Sequence, residues 1–131
     1  MKHLKPFHLF ENIEYDDEEL LEIRDIFQQL ADEWDIQWID EIDWSEIEDD
    51  SFIYSIQRIS SPNHPYKCLV HLILPANRDL PVWRNLDNFI SDVEDIVARM
   101  KNMGYKRATH YQFVDAKRSN EDEQRHFQVR F

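Results

Sequence analysis

Six histidines, one cysteine and a dense run of carboxylates are the side chains of this 131-residue chain best suited to chemistry near neutral pH. His3, His8, His64, His71, His110 and His126 show neither an HExxH motif nor Cys/His finger spacing, so no metal site is expected. His71, His110 and His126 lie in segments that read as strands. Their convergence would give an acid–base site suited to a histidine-dependent hydrolase. The paired His-x-Thr/Ser pattern of two-histidine phosphoesterases is missing: each of the three is followed two residues on by isoleucine or glutamine. Cys68 opens an apolar strand and reads as core packing rather than as a nucleophile. The chain holds a single glycine, Gly104. A P-loop, a dinucleotide fingerprint and a nucleophile elbow each need clustered glycines, so none can be built. No catalytic residue and no cofactor is expected.

The carboxylates offer a different kind of chemistry. Asp plus Glu is 27, Lys plus Arg is 15, and the formal net charge is −12. The excess is concentrated: residues 1–50 hold 18 acidic and 3 basic side chains, whereas residues 51–131 hold 9 acidic and 12 basic ones. Within the acidic half, EWDIQWIDEIDWSEIEDD carries three of the four tryptophans. Tryptophan is enriched in binding hot spots, and surrounding acid steers a basic partner. Asp35, Trp38, Glu41, Asp43, Trp44 and Glu46 are therefore the candidate partner-binding residues. Such spacing also suits a mimic of the DNA phosphate array that would occupy a DNA-binding protein. The competing expectation is a solvated acidic face with the rings turned into the core.

These residues need elements to position them. At 42% hydrophobic and 13% aromatic residues, the composition is that of an ordered chain, and the length suits one domain with its own core. Residues 1–14 read as an arm or an edge strand, since Pro6 does not suit a central strand; residues 15–131 read as a single domain. Leu20, Ile23, Phe27, Leu30 and Trp34 form one stripe, which predicts a helix over 16–34 with an acidic first turn. Residues 34–44 alternate and suggest a strand with an acidic outer face, with a helical continuation as the alternative. Residues 52–60 and 67–74 read as a hairpin around SSPNHPY. Leu86, Phe89, Ile90, Val93, Ile96, Val97 and Met100 predict a second helix that ends near Met103, with Gly104 as its C-terminal cap. Two further strands, 106–115 and 125–131, flank the loop AKRSNEDE.

The fold class expected is α+β: an antiparallel sheet of about four to six strands with two amphipathic helices on one face. Its other face is expected to be wet. Alternation in the last strands puts His110, Gln112, His126, Gln128 and Arg130 on that face and Tyr111, Phe113, Phe127, Val129 and Phe131 inside. Ser55, Gln57 and His71 would join the polar set. Arg58 is a further candidate for this face, although it shares the parity of Tyr54. This face is the alternative site, for a nucleotide, an RNA strand or a small ligand.

The opening MKHLKPFHLFENI resembles the starts of small accessory proteins of large tailed, T4-like bacteriophages, in which a Met-Lys start is followed by spaced phenylalanines and glutamate. It covers 13 of the 131 residues. The resemblance implies a phage accessory protein acting in the host cytoplasm or packaged in the virion, and it supplies no catalytic residues. The residues themselves, with no intrachain disulfide possible and no long apolar run, point to a cytoplasmic protein without a membrane segment. The leading expectation is a non-enzymatic binding protein whose acidic half engages a basic protein surface. Nucleic acid is the second choice of partner.

Overall fold

A computed structural model of the chain describes residues 16–116 and 123–131. The arm at 1–14 and the centre of the AKRSNEDE loop lie outside those residues. The element order is α1 (Asp17–Trp34), β1 (Gln37–Trp38), a 3-10 turn (Trp44–Glu46), β2 (Ile53–Arg58), β3 (Cys68–Ile73), α2 (Pro81–Arg84), α3 (Leu86–Asn102), β4 (Thr109–Ala116) and β5 (Glu123–Arg130). The fold is α+β, as the patterning predicts.

Local chemistry explains both long helices. Asp16 caps α1 in a reciprocal capping box: its carboxylate accepts from the Glu19 amide, and the Glu19 carboxylate accepts from the Asp16 amide. Asp17, Glu18 and Glu19 place negative charge against the positive end of the helix dipole. α3 closes at its other end with the Gly104 amide bonded to the Lys101 carbonyl and the Tyr105 amide bonded to the Met100 carbonyl. That is a Schellman pattern. It requires the left-handed backbone that Gly104 adopts at φ 112°.

Among the described residues, five strands form one sheet in the order β1-β2-β3-β5-β4. β3, α3 and β4 make a crossover whose two strands run parallel, and β5 returns to fill the gap between them. The expected antiparallel sheet is corrected at one edge, because β1 runs parallel to β2. Residues 34–44 are likewise not one strand. Helix α1 ends at Trp34, and Asp35 takes a left-handed backbone, φ 60°, while its amide bonds the Ala31 carbonyl. Only Gln37 and Trp38 then pair before the chain turns away. Asp is a poor strand former but tolerates this left-handed cap.

Both long helices pack on the same sheet face. Ile23, Ile26, Phe27 and Leu30 from α1 and Phe89, Val93, Ile96 and Met100 from α3 enclose Tyr54, Val70, Leu72, Phe127 and Val129. Cys68 is buried in this core, where the sequence placed it. Phe89 is the centre of the layer. Trp34, Phe52 and Phe127 each set an edge against its ring, at centroid distances of 5.3, 5.6 and 5.5 Å. The Trp34 indole also donates to Asp92 on α3, at 2.9 Å, so the two helices are tied by a ring contact and a hydrogen bond. Phe89→Ala is expected to lower unfolding free energy by about 3–5 kcal/mol, read from urea denaturation. A loss under about 1 kcal/mol would remove Phe89 from the centre of the core.

Candidate functional site

The second sheet face is not simply wet. Ser55, His71, Ile73, His126 and Ile53 are all buried on it. The strand register places His71 beside Ser55 on β2 and Gln128 on β5, with His126 opposite Ile73. His71 Nε2 and His126 Nδ1 meet at 2.8 Å. One nitrogen donates and the other accepts, so the contact excludes the state in which both rings are fully protonated. Burial first, and the neighbouring His126 second, lower the His71 pKa from 6.5 to about 4. His71 is therefore neutral at neutral pH.

Trp44 lies over this pair. Its ring centroid is 5.9 Å from that of His71 and 5.6 Å from that of His126. The 3-10 turn that carries it is fixed locally: the Asp43 carboxylate accepts from the Ser45 hydroxyl at 2.6 Å and from the Ser45 amide at 3.0 Å. The same two bonds hold Asp43 below the usual carboxylate range, so it stays ionised. The buried Ser55 hydroxyl donates to the Asp40 carbonyl at 3.4 Å and ties the incoming chain to β2. Yet Trp44 keeps 47% of its surface exposed. One side of the ring covers the histidines and the other faces solvent beside Glu41, Asp43 and Glu46, all exposed.

The candidate acidic residues consequently do not form one surface. Trp38 pairs with Tyr54 on the helix side of the sheet. There its ring meets Tyr54 edge-on at 5.1 Å, the Arg24 guanidinium lies 4.2 Å over it, and its indole donates to Asp40. Trp38 is thus a packed residue, and Asp35 is a helix cap. Trp44, on the opposite face, departs from the expectation that the rings turn inward. Glu41, Asp43, Trp44 and Glu46 remain together.

The alternative ligand face also divides. β4 and β5 pair with Thr109 opposite Arg130 and Tyr111 opposite Gln128. Odd positions of β4 therefore share a face with even positions of β5, the reverse of the expected grouping. His110 and Gln112 lie on the helix side with Val129 and Phe127. His110 Nε2 is 3.6 Å from the Glu94 carboxylate of α3, and its Nδ1 finds no partner among the described residues. The three histidines do not converge: two meet, and the third is across the sheet. Being an edge strand that α3 only partly covers, β4 tolerates polar groups on its inner side. Arg58 is also on the helix side, as its parity implies, and its guanidinium reaches Asp17 at 3.2 Å.

Arg130 and Gln128 keep the expected face. Arg130 donates to Gln128 at 3.0 Å and sits 4.2 Å over the ring of Tyr111. Tyr111 is 40% exposed, and its hydrogen bond with Tyr66 raises the Tyr66 phenol pKa. Sequence reading placed Tyr111 inside, and it missed Tyr66. No local signal separates the two parities of an aromatic strand. Among the described residues, no group of three or more His, Cys, Asp or Glu side chains is arranged to hold a metal ion, and no helix is long and apolar enough to cross a membrane.

The buried histidine sets a pH dependence. The folded pKa of His71, about 4, is below the value of 6.5 for the free side chain. The unfolded chain therefore binds a proton that the folded chain refuses. The stabilisation is complete above pH 6.5 and is lost progressively as pH falls toward 4, by at most about 3 kcal/mol. Urea denaturation across that window is expected to show the loss, with a shallower slope in His71→Gln. Equal slopes in the two proteins would show that His71 does not titrate on unfolding. Compared with protein-family models, curated proteins and solved structures, the chain matches none.

Proposed function

We propose that this chain is a non-enzymatic binding protein that engages a basic protein surface through the turn at residues 41–46. The observation that carries this reading is Trp44: a large ring, 47% exposed, on a turn locked by Asp43 and Ser45 and rimmed by carboxylates. A pre-set aromatic anchor contributes affinity without the cost of ordering a loop. The acids contribute attraction and on-rate. The opening segment's resemblance to phage accessory proteins supports a setting in the host cytoplasm or the virion, with a host nucleic-acid-binding protein as partner. The carboxylates would then take the place of phosphates.

A second reading, nucleotide or RNA binding on the sheet, is favoured by Tyr111 and Arg130, an exposed ring beside a cation on a sheet face. The Arg130 guanidinium already covers one side of that ring, and Trp44 covers His71 and His126 on the same face, so the acidic turn is the better-supported site.

Two measurements decide between them. Glu41→Lys combined with Glu46→Lys spares the Asp43 cap and should leave the circular dichroism spectrum unchanged. Partners captured from a bacterial lysate at low salt are expected to fall by about tenfold in this variant and to be released by added salt. Capture that is insensitive to both changes would overturn the reading. Titration with single-stranded RNA at low ionic strength is expected to show no binding; saturable binding lost in Arg130→Ala would favour the second reading instead.

A further inference from the structure

Strand β2 continues past its neighbour. β1 contributes only two paired residues, and its last contact is the Ile39 amide donating to the Tyr54 carbonyl. In a strand, alternate residues turn both backbone groups to the same side. Phe52 and Tyr54 use theirs toward β1, while Ile53, Ser55 and Gln57 are the residues placed to bond β3. Ile56 therefore points its amide and carbonyl outward at the level where β1 has already left the sheet. Among the described residues, the chain turns away at Asp40 and leaves an open groove between the turn and the strand, lined by Asp40, Glu41, Asp43 and Trp44 on one wall and Ile56, Gln57 and Arg58 on the other. The Arg58 guanidinium on that wall pairs with Asp17 of α1 at 3.2 Å.

From this juxtaposition we propose that the edge of β2 at Ile56 receives a short extended segment of a basic partner, added as a strand in line with β1. The inference rests on the acidic turn being the partner site and specifies how the partner is held. Backbone hydrogen bonds to Ile56 fix the segment as a strand, and alternate side chains then fall on opposite faces. Cationic side chains on one face meet the acidic turn, and apolar ones on the other meet Ile56. Charge selects the occupant. A second copy of this chain would bring a second set of carboxylates against the first, whereas a lysine-rich strand neutralises them. An unpaired edge is ordinarily shielded against promiscuous pairing. Here the acidic wall restricts it to cationic strands.

The test uses the full chain and an acetylated peptide of alternating lysine and valine, about eight residues long. Nuclear magnetic resonance at low ionic strength is expected to show saturable binding, with exchange of the Ile56 amide proton slowed by about tenfold in the complex. Ile56→Pro removes that donor from an edge position, where proline is tolerated. It is expected to weaken the peptide by about tenfold or more. Should this variant fail to fold, the peptide carries the test. N-methylation of the amides on one edge is expected to abolish binding, and methylation on the other edge to leave it intact. Equal binding by both methylated peptides, no slowing at Ile56, or no peptide binding at all overturns strand addition. So does concentration-dependent dimerisation of the free chain that Ile56→Pro abolishes, since the occupant would then be a second copy. If the charge-reversed Glu41 and Glu46 variant loses captured partner while Ile56→Pro retains it, the acidic site stands and strand addition falls. If neither change matters, both fall.

Discussion

The packing of rings on Phe89 is the constraint from which the rest of the arrangement follows. Trp34 is the last residue of α1, and its position against Phe89 and Asp92 determines where that helix stops. The stop forces the left-handed turn at Asp35, the turn sets the chain into the sheet for two residues, and the chain then leaves at Asp40. From there it crosses to the opposite face and delivers Trp44 onto the two histidines. A contact in the helix layer thus positions a residue on the far side of the sheet. The coupling works because close-packed side chains permit few alternative placements of a helix end.

The far side has its own requirement. His71 and His126 are removed from water on a sheet face that also buries Ser55. Buried polar groups are costly unless bonded, and these two rings bond each other. That solution works only while a neutral nitrogen is available to accept. The cover provided by Trp44 and the neutrality of His71 are therefore mutually dependent: the cover raises the cost of the charged form, and neutrality permits the cover. Such a pair suits a structural support beneath an exposed residue better than an open acid–base site.

Charge is distributed to match. Acid in the first turn of α1 is stabilised by the helix dipole and reaches Arg58. After β1, Asp40 accepts from the Trp38 indole, Asp43 caps the 3-10 turn and Asp50 accepts from the Asn77 side chain, while Glu41 and Glu46 stand exposed on the turn. Exposed like charges on one short turn repel one another, and they are relieved when a cation arrives. Beside them lies a strand edge whose backbone groups point outward. The turn supplies attraction and the edge supplies direction.

Much of this was legible in the residues. Apolar spacing located both long helices, because a stripe at three- and four-residue steps arises locally and needs no partner. Gly104 marked a helix end, since a left-handed backbone disfavours every other residue type at that point. The 52–60 and 67–74 segments paired as expected, and Ser55, Gln57 and His71 fell on one face. Alternation over residues 34–44 left a strand and a helical continuation open, and neither describes the whole segment, because Trp34 at the end of α1 packs on Phe89, far along the chain. The grouping of His110 with His126 failed because cross-strand register, which depends on the connection and on packing against α3, decides which parity faces inward. The sequence by itself determined the helices, the hairpin segments and the asymmetry of charge, which are properties of neighbours in the chain. Only the tertiary structure decided that two histidines meet beneath Trp44, that Trp38 and Trp44 part to opposite faces, and that β2 keeps an open edge among the described residues. Each of those depends on strands brought together from distant positions, where a shift of one residue turns every side chain to the other face.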